Sequence, residues 1–379
     1  MQMKDCKVAM KILITGANGF IGRNLISELK KQGYDELFLY DIDGTEEYLN
    51  KAATRCDVIF HLAGINRPKR PEEFMEGNCD FTGHLIELVK AAGRTPLIIT
   101  TSSIQAELDN PYGLSKKAAE DLLKAYAKDT GGRAIIYRLP NVFGKWCRPD
   151  YNSAVATFCH NIARDLPVKV NDPSVLMHLV YIDDVVGELI AAMKGEEHIN
   201  EDGYGYIPEV NDVLLGDIPK LLYSFRDSRV SLELPRFDNP FEKKLYSTYL
   251  SYLKPDDFAY PLTMKGDERG SFTEFLRSRE KGQVSVNVAH PGITKGNHWH
   301  STKNEKFFVV AGEASIKFRK VGTDEIIEYI VSDKEHKVVD IPCGYTHSIT
   351  NIGEGDLVTI MWVNEPFDPN DTDTFYEEV

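Results

Sequence analysis

Tyr112 and Lys116 stand four residues apart at the start of a predicted helix, in the run YGLSKKAAEDLLKAYAK. This spacing places a phenol and an ammonium group on one face of the helix. A nearby cation stabilises a phenolate, which lowers the pKa of the tyrosine towards values that suit proton transfer at neutral pH. Ser102 and Ser103 end the preceding predicted strand, where a hydroxyl can hydrogen-bond the same substrate oxygen. We therefore predict a proton-transfer site with Ser103, Tyr112 and Lys116 as catalytic residues and Ser102 as a substrate contact.

A glycine-rich turn, GANGFIG, follows the first apolar run of the chain and precedes an amphipathic segment. Glycine at these positions allows a tight turn, a close approach of the backbone to a pyrophosphate, and packing of the helix on the strand. The following helix offers free N–H groups to the anion. Asp41 ends the next apolar run, where a carboxylate accepts a hydrogen bond from a ribose 2′-hydroxyl. The residues expected at this dinucleotide site are Gly16, Asn18, Gly19, Phe20, Ile21, Gly22, Arg23 and Asp41, together with Tyr112 and Lys116.

Four residues of metal-ligand type occur in the last quarter of the chain. In His298-Trp-His300, two imidazoles fall on the same side of a strand, because side chains alternate with a period of two. Glu305 follows on the next turn or strand, and His347 comes from a distant strand. Three neutral imidazoles and one carboxylate suit a borderline divalent metal and leave positions for water or substrate. The set therefore predicts a metal site.

Composition and charge exclude several classes of protein. The 379 residues include 58 acidic and 44 basic side chains, a formal charge of −14, which argues against a general affinity for nucleic acid or anionic membrane. No apolar run approaches the ~20 residues that span a bilayer. Residues 1–9 lack an apolar signal-peptide core and are expected to be either a loose leader or an artefact of an early start codon. The six cysteines form no CxxC pair, which fits a reducing cytoplasm. Together with the charge and the short apolar runs, this pattern leads us to expect a cytoplasmic protein with no nucleic-acid or membrane partner.

The two halves of the chain follow different patterns. Up to about residue 200, short apolar runs alternate with amphipathic segments, which predicts βαβ units and a parallel sheet. From about residue 261, short apolar runs are separated by Gly, Asp, Asn and Pro, which predicts an all-β sandwich or barrel. The runs are 11–15, 37–40, 58–62, 97–101 and 135–138 in the first half, and 285–289, 306–310, 314–319, 325–331, 338–341 and 357–363 in the second. We predict a dinucleotide-binding domain over residues 1–245, and a linker and β domain over residues 246–379.

The motifs of the first half resemble the extended short-chain dehydrogenase/reductase family. The resemblance is carried by HLAG at 61–64, RLPNVFG at 138–144 and VYIDDV at 180–185, beside the glycine turn and the Tyr–Lys pair. It implies a doubly wound Rossmann fold, a nicotinamide cofactor and usually a nucleotide-sugar substrate. It also implies that Leu62, Ala63 and Gly64 contact the cofactor and that Asn141 contacts the substrate. His178 stands where many members carry an arginine near the diphosphate, so the diphosphate contact is unassigned.

The motifs of the second half resemble the paired motifs of the cupin barrel, although His336 stands where the second motif usually begins with glycine. The segment DERGSFTE at 267–274 resembles the DxRGxFxE signature of the dTDP-sugar 3-epimerase type of cupin. In that type the arginine and the glutamate help to hold a nucleotide-linked ketosugar. The resemblance therefore implies that Arg269 and Glu274 contact the substrate.

Together the two halves resemble the bifunctional CapF family of bacterial capsular and O-antigen biosynthesis, from Lys11 to Val379. That family is described as converting UDP-2-acetamido-2,6-dideoxy-β-L-arabino-hexos-4-ulose in two steps. The cupin inverts carbon 3, and the reductase then uses NAD(P)H to reduce the ketone at carbon 4. The product, a UDP-N-acetyl-6-deoxy-L-talosamine, is a precursor of UDP-N-acetyl-L-fucosamine. The resemblance also implies that the metal is zinc, and we expect a homodimer.

Three questions stay open at the level of sequence. A histidine that binds the metal cannot also remove the carbon-3 proton, so the metal is either the electrophile, with another base, or structural. The CapF family is usually described with NADPH. In this chain, however, Asp41 and Asp43 repel a 2′-phosphate, and Arg23 can offset only part of this repulsion. We therefore expect NADH to serve as cofactor at least as well as NADPH. The alternative function is a nucleotide-sugar 4-epimerase or dehydratase whose cupin is a non-catalytic dimerisation or sugar-binding module.

Overall fold

The computed structural model describes residues 10–278, 280–370 and 372–379. The predicted leader, residues 1–9, lies outside the described residues. The chain divides into two compact units. The first unit consists of the chain up to Tyr223 together with Pro240–Leu253, and the second consists of Ser224–Asn239 and Lys254–Val379. The predicted boundary at 245/246 falls within a helix, Pro240–Leu250, and the extent of each functional domain stays a prediction. No helix in the described part of the chain has both the length and the apolarity to cross a bilayer.

The first unit contains a five-stranded parallel sheet with the order β2-β1-β3-β4-β5. Its strands are β1 (Ile12–Thr15), β2 (Leu37–Tyr40), β3 (Val58–His61), β4 (Leu97–Ser103) and β5 (Ala134–Leu139). The helices between them are α1 (Phe20–Lys31), α2 (Glu46–Ala53), α3 (Phe81–Ala91) and α4 (Pro111–Thr130). All four residues of β1 are buried, which explains why this strand is a continuous apolar run rather than an alternating one. The five predicted strands and the predicted Rossmann fold are confirmed.

The strand order reverses direction between β1 and β3, and ligands of open α/β sheets bind at the carboxyl ends of the strands at such a point. The remainder of the first unit includes a second sheet with the order β6-β7-β8, where β6 is Asn141–Phe143, β7 is Leu176–Tyr181 and β8 is Asn211–Leu214. Its helices are α5 (Ala154–Ile162), α6 (Ile182–Lys194) and α8 (Pro240–Leu250), while α7 (Asp217–Ser231) contains the point at which the chain passes into the second unit.

The second unit is built from two antiparallel sheets, with the orders β16-β13-β18-β11-β10-β9 and β15-β14-β17-β12-β19. The strands are β9 (Met264–Asp267), β10 (Gly270–Ser278), β11 (Gly282–Ala289), β12 (Thr294–Trp299), β13 (Glu305–Ala311), β14 (Glu313–Lys320), β15 (Ile326–Ser332), β16 (Val338–Ile341), β17 (Tyr345–Asn351), β18 (Leu357–Val363) and β19 (Phe375–Tyr376). One apolar core takes side chains from both sheets, including Phe307 and Leu357 from the first and Ile316 and Ile349 from the second. The predicted all-β, cupin-like fold is confirmed.

Candidate functional site

The glycine turn has no room for a side chain at Gly16 or at Gly22. Gly16 has a φ of +69°, and a Cβ atom built on it would lie 2.7 Å from the backbone nitrogen of Ala63. A Cβ atom on Gly22 would lie 2.3 Å from the carbonyl oxygen of Gly16. The helix N-cap, Gly19, offers no side-chain acceptor to the first N–H groups of α1. The turn therefore has the backbone approach and the helix N-terminus that a pyrophosphate requires.

Asp41 lies beside this turn at the end of β2. Its Oδ2 accepts a hydrogen bond of 2.7 Å from the backbone N–H of Asn18. The carboxylate is thus held where the sequence predicts contact with a ribose hydroxyl. Arg23, by contrast, donates to the carbonyl oxygen of Trp146 at 2.9 Å, so its guanidinium is engaged with a different loop. The negative charge of Asp41 would therefore lie next to the 2′-phosphate of NADPH, without compensation from Arg23.

The Tyr–Lys pair lies on the first two turns of α4. The helix begins at Pro111, and the side chain of Asn110 caps it by accepting a 2.8 Å hydrogen bond from the N–H of Gly113. Lys116 Nζ donates to the carbonyl oxygen of Thr101 at 3.3 Å. A Cβ atom on Gly64 would lie 3.1 Å from Lys116 Nζ, so the segment after β3 meets the catalytic helix here.

The pKa of Tyr112 changes in the opposite direction to the one predicted. Burial raises it, and a hydrogen bond with the Ser103 hydroxyl opposes the rise. Burial also lowers the pKa of Lys116 to about 8, an effect that the carboxylate of Glu120 opposes. The prediction of a lowered tyrosine pKa is therefore wrong for this structure, because desolvation of the phenol dominates. A raised pKa keeps Tyr112 protonated at neutral pH, which is the form that a proton donor needs.

Glu120 is a site neighbour that sequence reasoning missed. It is 1% exposed and lies one turn beyond Lys116 on α4. Ser102 donates its hydroxyl proton to Glu120 Oε1 at 2.6 Å, and Arg138 and Tyr204 also donate to this carboxylate. Ser102 is thus committed to a buried network, and its substrate contact stays a prediction. The four-residue spacing of Tyr112, Lys116 and Glu120 was the available signal.

Asn78 fixes the segment after β3 to the catalytic helix. It is 3% exposed and bonds both backbone groups of Ile65, accepting from the N–H at 2.9 Å and donating to the carbonyl oxygen at 3.1 Å. Its Nδ2 also donates to Ser115 Oγ at 3.0 Å. Asn141, the other predicted substrate contact of this unit, is exposed on β6. Both placements depend on contacts between segments far apart in the chain.

The structure brings the four predicted metal ligands together in the second unit. One ligand atom from each of His298, His300, Glu305 and His347 lies within 4.8 Å of all the others. His298 pairs with His347 across β12 and β17. Glu305 Oε2 lies 3.1 Å from His347 Nε2 and 3.5 Å from His300 Nε2. The alternation of the HxH segment and the pairing of β12 with β17 therefore converge on one point.

The chemistry of these side chains fits a divalent cation. Buried nitrogens of His300 and His347 and Oε2 of Glu305 have no hydrogen-bond partner in the described structure, although they face one another. Burial lowers the pKa of His298 to about 4, with His347 adding to the effect. Burial raises the pKa of Glu305, but the adjacent imidazoles of His300 and His347 outweigh this effect and bring the value to about 2. A neutral imidazole and an ionised carboxylate are the forms that bind metal.

His300 is also oriented from outside the cluster. Its Nδ1 lies 2.6 Å from the carbonyl oxygen of Asp373, which leaves Nε2 directed at Glu305. The Asp373 carboxylate in turn accepts hydrogen bonds from the backbone N–H groups of Ser301, Thr302 and Lys303. A partner of this kind sets the tautomer and the ring orientation of a metal-binding histidine. Sequence reasoning missed Asp373, which lies about 70 residues away in the chain.

Arg269 and Glu274, the two predicted sugar contacts of the second unit, belong to separate ion pairs. Arg269 Nη2 pairs with Asp267 Oδ2 at 2.6 Å, whereas Glu274 pairs with Nε of Arg277 at 2.7 Å. Arg269 lines an open cavity of about 580 Å³ that is also lined by the half-buried Lys295. Glu274 does not line this cavity. The structure therefore does not bring Arg269 and Glu274 together, and their role at the substrate stays a prediction.

Comparison with known proteins identifies both halves. Residues 12–203 match the NAD dependent epimerase/dehydratase family, and residues 265–375 match the polysaccharide biosynthesis C-terminal domain. A UDP-2-acetamido-2,6-beta-L-arabino-hexul-4-ose reductase from Pseudomonas aeruginosa is 46% identical over 366 residues, which are 97% of this chain and 98% of that protein. The crystal structure of capsular polysaccharide assembling protein CapF from Staphylococcus aureus has a TM-score of 0.93 and 52% identity, covering 98% of this chain and 100% of that one. The chain belongs to the CapF family.

Membership of the CapF family confirms the predicted resemblance over both halves of the chain. The match of the first half to an NAD dependent family supports the predicted nicotinamide cofactor. A more distant structure, UDP-glucuronic acid 4-epimerase from Bacillus cereus in complex with NAD, is 22% identical with a TM-score of 0.53. It covers 64% of this CapF-family chain and shows a shared fold alone.

Proposed function

We propose that this chain is a bifunctional nucleotide-sugar enzyme of capsule biosynthesis. Its substrate is UDP-2-acetamido-2,6-dideoxy-β-L-arabino-hexos-4-ulose; the second unit inverts carbon 3, and the first unit reduces the ketone at carbon 4. The product is UDP-N-acetyl-6-deoxy-L-talosamine, which precedes UDP-N-acetyl-L-fucosamine. The observation that carries the proposal is the hydrogen bond between Tyr112 and Ser103, in a chain that matches a reductase of this sugar class over 97% of its length.

In the reduction, the nicotinamide cofactor supplies the hydride to carbon 4 when it is bound. Tyr112 donates its proton to the oxygen of that carbon, and Ser103 orients the same oxygen by hydrogen bonding. The ammonium of Lys116 then stabilises the phenolate that remains on Tyr112 until solvent returns the proton. The glycine turn and Asp41 hold the cofactor, with NADH used at least as well as NADPH because of the charge on Asp41.

In the epimerisation, the 4-ketone acidifies the proton on carbon 3, and removal of that proton leaves negative charge on the ketone oxygen. A zinc ion held by His298, His300, Glu305 and His347 supplies positive charge in the second unit when it is bound. A histidine that ligates the metal cannot accept the carbon-3 proton at the same time. The base therefore lies outside these four side chains wherever the metal is present.

The proposal includes a homodimer, because two-fold dimers are the commonest assemblies of soluble proteins. It also places the enzyme in the cytoplasm. Light scattering at micromolar concentration tests the dimer, which requires twice the 42.8 kDa mass of the chain. A mass equal to that of one chain contradicts it.

One experiment separates the two activities. The 4-ketosugar is incubated with the protein in D₂O without cofactor, and NMR follows carbon 3; NADH is then added, and its oxidation is followed by absorbance. The proposal expects deuterium at carbon 3 before any reduction, followed by stoichiometric oxidation of NADH. Reduction without exchange would favour a reductase whose cupin is non-catalytic. The absence of both exchange and reduction would contradict the proposal altogether.

A further inference from the structure

Two arginines of the first unit face one aromatic ring. The guanidinium carbon of Arg67 lies 5.8 Å from the centre of the Tyr151 ring, and that of Arg148 lies 5.3 Å from it. Arg67 also donates to the carbonyl oxygen of Asp150 at 3.2 Å. Both distances are within the ~6 Å at which a cation is attracted to an aromatic face. The ring of Tyr151 thus holds two like charges close together.

Neither of these two charges is paired with a carboxylate in the part of the chain that the structure describes. Within the described ranges, neither Arg67 nor Arg148 forms an ion pair with a carboxylate, and both are exposed. Arg70, in the same segment as Arg67, does have such a partner, with its Nε 3.4 Å from Glu73 Oε1. In a chain with a formal charge of −14, this pair is a local concentration of positive charge. It fits an anion that is supplied from outside.

The arginine pair lies on segments that also contact the catalytic helix and the glycine turn. The segment of Arg67 follows the carboxyl end of β3, and its Phe74 packs on Tyr112 with ring centres 5.5 Å apart. The loop of Arg148 follows the carboxyl end of β6, and Arg23 of the α1 segment donates to the carbonyl oxygen of Trp146 in that loop. Both segments therefore leave the strand ends at which ligands of such folds bind.

The backbone on either side of Arg148 is held in an uncommon conformation. Trp146 and Asp150 have φ values of +69° and +53°, in the left-handed region that residues with a side chain rarely adopt. The N–H of Asp150 donates to Thr157 Oγ1 at 3.0 Å, which ties this loop to α5. Strained backbone of this kind persists where the surrounding structure holds it, and it is concentrated at ligand sites. Arg148 is thus held in place by its own loop.

We propose that Arg67 and Arg148, held by Tyr151, bind the diphosphate of the nucleotide-sugar substrate. This inference rests on the proposed function, which supplies a substrate with two adjacent phosphoryl groups. Arginine pairs with phosphate through two parallel N–H donors, so two guanidinia match two phosphoryl groups. The cofactor has its own pyrophosphate site at the N-terminus of α1. His178, which left the diphosphate contact unassigned at the level of sequence, has its Nδ1 2.6 Å from Asp212 Oδ1.

The test labels arginine in the unmodified full-length protein. Phenylglyoxal, which reacts with free guanidinium groups, is added with UDP, UMP or NADH, and peptide mass spectrometry measures the rate of modification at each arginine. UDP at about ten times its Kd slows modification of Arg67 and Arg148 about tenfold, since only the unbound fraction reacts. UMP at the same concentration protects much less, and NADH does not protect them. Arg70 is the matched control, and its rate does not change.

Three results would overturn the proposal: no protection by UDP, equal protection by UMP, or protection of the pair by NADH alone. An independent variant, Arg148→Gln, raises the KM for the ketosugar about tenfold or more and leaves the KM for NADH unchanged. Failure of the proposed function has a different signature. Protection by UDP in a protein that does not reduce the ketosugar keeps the anion site and rejects the reaction, whereas reduction without protection rejects the anion site alone.

Discussion

Arg138 and Glu120 form a two-point ion pair in the first unit, with Arg138 Nε 3.0 Å from Glu120 Oε1 and Nη2 2.7 Å from Oε2. The carboxylate is 1% exposed, whereas the side chain of Arg138 is 14% exposed. The same carboxylate accepts a hydrogen bond from Ser102, which precedes the proposed catalytic residue Ser103 on β4. The pair therefore connects β5, the end of β4 and the catalytic helix.

Replacement of Glu120 tests this connection. Glu120→Gln leaves a half-buried guanidinium without its main partner, so we expect the free energy of unfolding of the first unit to fall by about 3 kcal/mol, as for other broken buried ion pairs. Urea unfolding monitored by circular dichroism measures the change. The control is Glu47→Gln on α2, an exposed position where we expect less than about 0.5 kcal/mol. Equal stability of the two variants would show that the pair contributes nothing.

Tyr112→Phe removes the proposed proton donor. Reduction of the ketosugar falls by about a hundredfold or more, because general acid catalysis contributes at least that much. Deuterium exchange at carbon 3 continues at the original rate, since it belongs to the second unit. NADH oxidation and NMR measure the two activities on one sample. Tyr206→Phe, at an exposed tyrosine of the same unit, is the control and keeps both activities. If Tyr112→Phe still reduces at a near-normal rate, the donor is another group.

The pKa of about 8 at Lys116 predicts the alkaline limb of the pH profile. Below pH 8 the side chain is an ammonium and the reaction is supported; above pH 8 it loses its proton, and kcat/KM for reduction falls about tenfold per pH unit. Tyr112 stays protonated across this range because burial raises its pKa. Lys116→Arg keeps a positive charge at every pH, so its profile lacks this limb. A wild-type profile that stays flat to pH 9.5 would contradict the assignment.

The metal site predicts a defined stoichiometry. Protein purified without chelator contains about one divalent metal per chain by elemental analysis, with zinc expected because the resemblance to the CapF family implies it. His347→Ala loses the metal and the carbon-3 exchange but keeps the nicotinamide site of the first unit. The control is His290→Ala, because His290 is exposed and paired with Asp356 away from the cluster. Metal-free wild-type protein with full exchange activity would mean that the cluster has no role in epimerisation.

Asp41 predicts the cofactor preference. At ~4 Å and an effective dielectric of ~20, its charge repels a 2′-phosphate by about 4 kcal/mol before screening. We expect kcat/KM for NADH to equal or exceed that for NADPH, and Asp41→Ala to raise the NADPH value and lower the NADH value. Asp43→Ala, at an exposed neighbouring carboxylate, is the control and changes the ratio less. A strong NADPH preference that Asp41→Ala leaves unchanged would place the ribose elsewhere.

Local pattern was sufficient for much of the fold and for part of each site. The buried run at 12–15 is apolar because both faces of β1 are covered, and the four-residue spacing of Tyr112 and Lys116 survives folding because a helix repeats every 3.6 residues. Strands with polar residues were harder to recognise. Both β10 (GSFTEFLRS) and β17 (YTHSITN) lack an apolar run, and their polar residues carry the ion pair of Glu274 and the metal ligand His347.

Contacts between distant segments decided the rest. Only the register of β12 on β17 brings His298 opposite His347, and only the packing of α4 against β4 and β5 makes Glu120 the partner of Ser102 and Arg138. The rise in the pKa of Tyr112 likewise depends on how many groups surround the phenol after folding. Spacing along the chain reports which residues share a face of one element, because that follows from the local repeat. Burial, and the meeting of residues from separate elements, depend on how those elements pack.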